Sequence, residues 1–250
     1  MATASPAPAT QNPAFAALKA KLAALAAPPT RVEPVVPTSI PELDRLLGGG
    51  FPAGSLTLLE GSAGRWSIAT RLLAGVTARA VAAIVDDGAL YPPDLARCGA
   101  RLDRVMVVPA ALPLTIARAA DVLVRSKACR VVVMPAPDLR AQVWTRLAGL
   151  AHRNGVLLVA IPPVQASAAA VAPLSAAAGV RLQCTRERVA VAGKRGLWCS
   201  FAGYDVCAEL RKHPWYAPEK RAQLQLRDDR AGDRVRTTFQ RSTIAHAAVR

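Results

Sequence analysis

The chain has 250 residues, is 52% hydrophobic but only 4% aromatic, and carries 32 Lys and Arg against 17 Asp and Glu, a formal net charge of +15. That length suits one large domain with tails, and that charge points to an acidic partner: nucleic acid, an acidic protein surface or anionic lipid. Five scattered Cys without a Cys-x-x-Cys pair, three His without ligand spacing and no apolar run of about 18 residues argue against a disulfide scaffold, a metal centre and a membrane span. The expectation is a cytoplasmic protein with no metal and no cofactor.

Residues 1–37 read as an Ala- and Pro-rich arm. Within it, 14–27 form a short helix with Phe15, Leu18, Leu22 and Leu25 on one stripe, and Pro28, Pro29, Pro34 and Pro37 make an extended linker. Thr38 or Ser39 is placed to cap a helix running to Leu47, which Gly48-Gly49-Gly50 ends. Strands then alternate with helices: strand 55–60, helix 66–79, strand 81–85, helix 92–99, strand 104–108, helix 113–126, strand 130–134, helix 138–153 and strand 155–161. Runs such as Val131-Val132-Val133-Met134 and Val156-Leu157-Leu158-Val159 are apolar at every position, the mark of parallel strands covered on both faces. The fold class is therefore α/β, a mostly parallel, doubly wound sheet.

An Ala-, Ser- and Pro-rich loop is predicted at 162–178, without a single Lys or Arg. Strands at 179–185, 188–192 and 197–201 follow, with turns at Arg186-Glu187 and at 193–196, and a last antiparallel pair near 204–211 and 222–227. Residues 228–250 are polar and basic and read as a tail.

The stretch from Leu56 to Ala69 carries the most information: an apolar strand, Gly61-Ser62-Ala63-Gly64, then a helix beginning near Trp66. A strand, a glycine turn and a helix are what a P-loop uses to close backbone N–H groups around phosphates. The motif also needs two glycines with four residues between them, a Lys for the outer phosphates and a Ser or Thr for Mg²⁺. Counted from Gly61, the second Gly falls on Trp66, the Lys on Ser67 and the hydroxyl on Ile68. With a loop two residues shorter, Gly64 takes the second Gly, Arg65 the Lys and Trp66 the hydroxyl, with Ser67 as a displaced one. Neither register restores the motif. Gly61, Gly64, Arg65 and Ser67 are thus the candidates for a degenerate nucleotide site, and Trp66 is expected to pack over the pocket.

The order of these pieces resembles the RecA recombinase core, and more closely the ImuA family, RecA-like accessory proteins of bacterial mutagenic DNA repair, over about residues 38–227. The residues that carry it are Thr38–Gly54, similar to the start helix, glycine turn and G-x-P-x-G entry of RecA-like sheets. Leu90–Val105 resembles the segment after the second RecA strand, and Tyr204–Leu226 the terminal strands with their basic cluster. The resemblance implies two further stations. A Glu after the second strand should polarise the attacking water, but the position falls near Gly88, with Asp87 a substitute only if the loop shifts. The Walker B strand should end in an Asp for Mg²⁺, but it ends at Pro135, and Asp138 is expected to cap the following helix.

With cation, metal anchor and water activator all replaced, no catalytic residue is assigned. The resemblance implies an adaptor that assembles with an ImuB-type polymerase-like protein and an error-prone C-family DNA polymerase, and with RecA, during lesion bypass in the DNA-damage response. Two other classes stay open: a RecA- or KaiC-like ATPase acting on single-stranded DNA, and a SulA-like cell-division inhibitor. For contacts with weakly bound single-stranded DNA or a partner, the candidates are Arg186, Arg188, Lys194 and Arg195 in the turns, and Arg211, Lys212, Trp215 and Tyr216 near the end of the core.

Overall fold

The structure is a computed structural model, and it describes residues 34–88, 90–192, 200–218 and 220–227. The expected helix at 14–27, the candidates Lys194 and Arg195, and the tail 228–250 lie outside the described residues.

A short antiparallel pair, β1 (Val35–Val36) and β2 (Phe51–Pro52), brackets helix α1 (Pro41–Leu47). Pro41 at the first turn sets the helical φ, and Leu43 and Leu47 are fully buried, each worth ~2 kcal/mol of apolar burial. Neither Thr38 nor Ser39 caps the helix as expected: the N-cap is Ile40, without a side-chain bond. The Thr38 hydroxyl instead donates to the Asp44 carboxylate at 2.8 Å and accepts from the Ile40 N–H at 3.2 Å, so it pins the helix start to its last turn. Gly48 in the left-handed region ends the helix, with the Gly49 N–H donating to the Asp44 carbonyl at 2.7 Å.

The main chain then alternates through β3 (Leu56–Gly61), α2 (Arg65–Thr77), β4 (Ala82–Asp86), α3 (Pro92–Arg97), β5 (Val105–Pro109), α4 (Pro113–Ser126), β6 (Val131–Pro135), α5 (Ala141–Asn154) and β7 (Leu157–Ile161). The expected strands and helices of this region all form, with ends shifted by a few residues. Helix α6 (Ala168–Ala177) and strands β8 (Val180–Ala192), β9 (Ser200–Lys212) and β10 (Arg221–Arg227) complete the eight-stranded sheet, in the order β10-β9-β8-β3-β7-β6-β4-β5. From β5 to β8 every pairing is parallel; β8–β9 and β9–β10 are antiparallel.

The apolar runs divide by parity into two cores. Leu59, Ile84, Val133 and Val159 face α1, α2 and α3, while Leu58, Val85, Val132 and Leu158 face α4, α5 and α6. Helices therefore cover both faces of the parallel part, the doubly wound arrangement expected.

Two further expectations are corrected. The segment 162–178 is not a plain loop: Ser167 caps α6 by accepting from the Ala170 N–H at 3.2 Å, the alanine run favours helix, and buried Leu174 anchors it despite Pro173 inside. Nor is Arg186-Glu187 a turn. Arg186 pairs with Val206 and Arg188 with Asp205, so Glu187 is the extra residue of a β-bulge in one continuous strand.

Candidate nucleotide turn and basic sheet face

Strand β3 ends at Gly61 and α2 begins at Arg65, leaving only Ser62, Ala63 and Gly64 between them. This spacing corresponds to the shorter of the two registers, with Gly64 preceding Arg65. Packing dictates both glycines. At Gly61, φ is 116° and a Cβ would stand 1.9 Å from the Cys184 carbonyl oxygen on β8; at Gly64, φ is 81° and a Cβ would meet Val206 and Leu226 at 3.0 Å. The turn is also bonded to β8. The Ser62 N–H donates to the Cys184 carbonyl at 2.9 Å, and the Ser62 hydroxyl accepts from the Arg186 N–H at 3.2 Å. A backbone donor of the kind that would line a phosphate cradle is thus engaged within the sheet.

Arg65 occupies the place of the phosphate-binding Lys in this register, but its side chain is buried and Nη1 donates to the carbonyl of Pro162, just after β7. Desolvation by burial lowers its pKa, with the nearby Cys184 acting in the opposite direction. Burial in turn pushes the Cys184 thiol up to about 12, so it is neutral. Trp66 is half-buried against the first core. With Ser67, Arg71, Arg97, Phe201 and Tyr204 it lines an open cleft of about 180 Å³ between α2, α3 and the ends of β9 and β10. Arg71 and Arg97 were not legible as site residues; only the fold brings them beside Trp66.

The other two stations are equally plain. Strand β6 ends at buried Pro135, and the Ala136 N–H donates to the Ile161 carbonyl at 2.9 Å. Asp138 is exposed and does not cap α5, whose N-cap is Arg140, because the helix starts three residues later than expected. Asp86, at the end of β4, accepts from the N–H groups of Gly88 at 3.0 Å and Leu90 at 2.9 Å, closing its own turn, and Asp87 is exposed. Among the described residues no cluster of three metal-ligating side chains occurs, and no helix is long and apolar enough to cross a membrane.

The basic candidates fall into separate groups. Arg186 and Arg188 flank the bulge of β8, while Arg211 and Lys212 end β9, with Lys212 paired to Arg181. Arg186 and Arg181 lie about 17 Å apart along the strand, at ~3.3 Å per residue. Lys212 Nζ donates to the Ala176 carbonyl at 3.2 Å, in the last turn of α6 where a cation is favoured.

Trp215 and Tyr216 are half-buried rather than open stacking platforms. Their rings pack on His213 at 5.3 and 4.7 Å between centroids, and Tyr216 joins the first core beside Gly48. His213 is itself buried, its Nδ1 accepts from the Trp215 N–H at 3.2 Å, and its Nε2 has no partner among the described residues.

Sequence reasoning missed two carboxylates among the cations: Glu209, which pairs with Arg211 and Arg221, and Asp205, which pairs with Arg188 and Arg227. The period-two series Asp205, Cys207, Glu209, Arg211 was the available signal.

No protein-family model matches the chain, and no curated protein does. Among solved structures, the RadB recombinase is similar, with a TM-score of 0.58 at 17% identity, covering 76% of this chain and 96% of that one. At that identity the likeness speaks for the fold alone. With the strand order and the antiparallel C-terminal strands, it shows that this chain has a RecA-like fold.

Proposed function

We propose that the chain is a non-catalytic RecA-like adaptor of an error-prone translesion synthesis complex, of the ImuA type. The observation that supports this reading best is the course of Arg65. In the position of the phosphate-binding Lys, its guanidinium is turned into the core toward the Pro162 carbonyl, and the adjoining turn is hydrogen-bonded to β8. Phosphoryl transfer depends on positioned cations and metal ligands. Pro135 at the end of β6, exposed Asp87 and Gly88 supply no Walker B carboxylate and no Glu.

By resemblance, the partners are an ImuB-type polymerase-like protein and an error-prone C-family DNA polymerase, with RecA a further one. The basic balance of the chain supplies weak attraction to single-stranded DNA.

Two measurements test this. Pull-down from DNA-damaged cells should recover the polymerase-like partner, and truncation at residue 228 should abolish recovery if the tail carries the contact. Radiolabelled ATP should not be turned over, with or without single-stranded DNA. Turnover that Arg65→Ala abolishes would overturn the reading in favour of an ATPase.

A further inference from the structure

Beyond β3, no described helix covers the second face of the sheet. Strands β8, β9 and β10 bury one face toward the first core through residues such as Leu182, Val206, Leu210, Leu224 and Leu226. The opposite parity is polar. On β9 it carries Asp205 and Glu209, about 13 Å apart along the strand. Each sits between two arginines. Glu209 contacts Arg211 at 3.1 Å and Arg221 at 3.3 Å; Asp205 contacts Arg188 at 3.9 Å and also Arg227.

The two charges differ in depth. The Glu209 and Asp205 side chains are 11% and 21% exposed, whereas Arg211, Arg221, Arg188 and Arg227 are 48%, 66%, 42% and 34% exposed. The carboxylates lie underneath and the guanidinium groups face water. One carboxylate cannot neutralise two arginines, so each cluster keeps an excess positive charge. Between the clusters the Glu187 carboxylate accepts from Gln223 Nε2 at 2.9 Å, so the positive excess is concentrated at the two arginine pairs. In Arg188, Arg211 and Arg221 a guanidinium held by its carboxylate still presents donors to water, in a fork that fits phosphate oxygens, whereas Arg227 also donates from Nη1 to the Tyr204 carbonyl at 2.9 Å.

We propose that this face binds the phosphate backbone of nucleic acid independently of sequence, with Arg188, Arg211 and Arg221 as contacts and Asp205 and Glu209 as positioning residues. Nucleic acid fits better than an acidic protein. The side chains between the clusters are polar (Thr185, Cys207, Gln223 and Gln225, with Glu187 bonded to Gln223), and a protein interface needs a buried apolar or aromatic anchor that this strip lacks. The proposal rests on the adaptor reading only for its biological setting, because backbone binding is measured without any partner.

The test is fluorescence anisotropy of the full chain with a labelled oligothymidylate and a duplex of equal length, titrated with salt. Arg211→Ala and Arg221→Ala should each lower the slope of log K against log salt by ~0.7 on the single strand and ~0.9 on the duplex. Arg211→Lys should retain affinity better than Arg211→Ala. The decisive variant is Glu209→Gln, which adds positive charge yet should weaken binding roughly threefold or more if the carboxylate positions both arginines; Glu209→Asp should restore part of it. Melting curves of each variant check folding.

Tighter binding by Glu209→Gln would refute the positioning role, and unchanged slopes in both alanine variants would refute the site. Equal affinity for polyglutamate would identify an acidic protein as the ligand and refute the nucleic-acid assignment. Failure of the partner pull-down would leave these outcomes unaffected.

Discussion

The Arg65 guanidinium donates to the carbonyl of Pro162, tying the first residue of α2 to the segment that leaves β7. Two strand-ends of the sheet, β3 and β7, are thereby joined by a side chain in the region where a P-loop protein would hold its ligand. Arg65→Ala should therefore destabilise the chain, because it leaves a buried carbonyl without its charged donor; the loss expected is about 2 kcal/mol, read from urea unfolding. Under the proposed function, millimolar Mg-ATP should not raise the melting temperature of the unsubstituted chain, since a ligand that binds the folded state stabilises it by mass action.

The two glycines of the chain most informative about packing are Gly61 and Gly99. Both have positive φ, but a Cβ at Gly61 would strike the Cys184 carbonyl whereas one at Gly99 would meet nothing within 4 Å. Gly99→Ala should cost only the left-handed backbone penalty, about 1–2 kcal/mol. Gly61→Ala adds a collision with backbone that cannot rotate away, and should cost at least about 3 kcal/mol or prevent folding. Thermal melting of the pair separates strain from collision; equal losses would show that β8 can move aside.

The parallel strands were legible because a strand buried on both faces must be apolar throughout, as Val131 to Met134 are. Helix α6 was not, because Ala, Ser and Pro read alike in loops, and only the Ser167 cap and the burial of Leu174 distinguish it. Glu187 looked like a turn residue because a bulge and a turn both interrupt alternation. The glycine turn could be read as a degenerate motif, but the inward course of Arg65 depends on Pro162, distant in sequence. The arginine–carboxylate clusters depend on ladder register, which pairs Glu209 with Arg221 across strands. Local patterns carry neither fact.

Tyr216 and Gly48 should be energetically coupled. A Cβ at Gly48 would stand 2.0 Å from the Tyr216 hydroxyl oxygen, and φ there is 68°. Gly48→Ala should displace the ring, loosening the β9–β10 connection from α1. In a Tyr216→Ala background the same substitution should cost less, with an interaction energy of about 1 kcal/mol, within the range for residues in contact. Strict additivity in a double-mutant cycle would show that Tyr216 does not anchor the connection.

His213 should make stability depend on acid. Burial, with a smaller contribution from Lys220, lowers its pKa from 6.5 to about 4 in the folded chain. Above about pH 6.5 the ring is neutral in both states and contributes nothing to the pH dependence. As pH falls below that value the unfolded chain binds a proton that the folded chain does not, so stability declines down to about pH 4, where the folded ring also protonates and the slope from this group ends. His213→Asn, which keeps an acceptor for the Trp215 N–H but cannot titrate, should flatten this part of the curve. Urea unfolding of both proteins at intervals between pH 4 and 7 measures the difference, and parallel curves would assign the acid sensitivity to other groups.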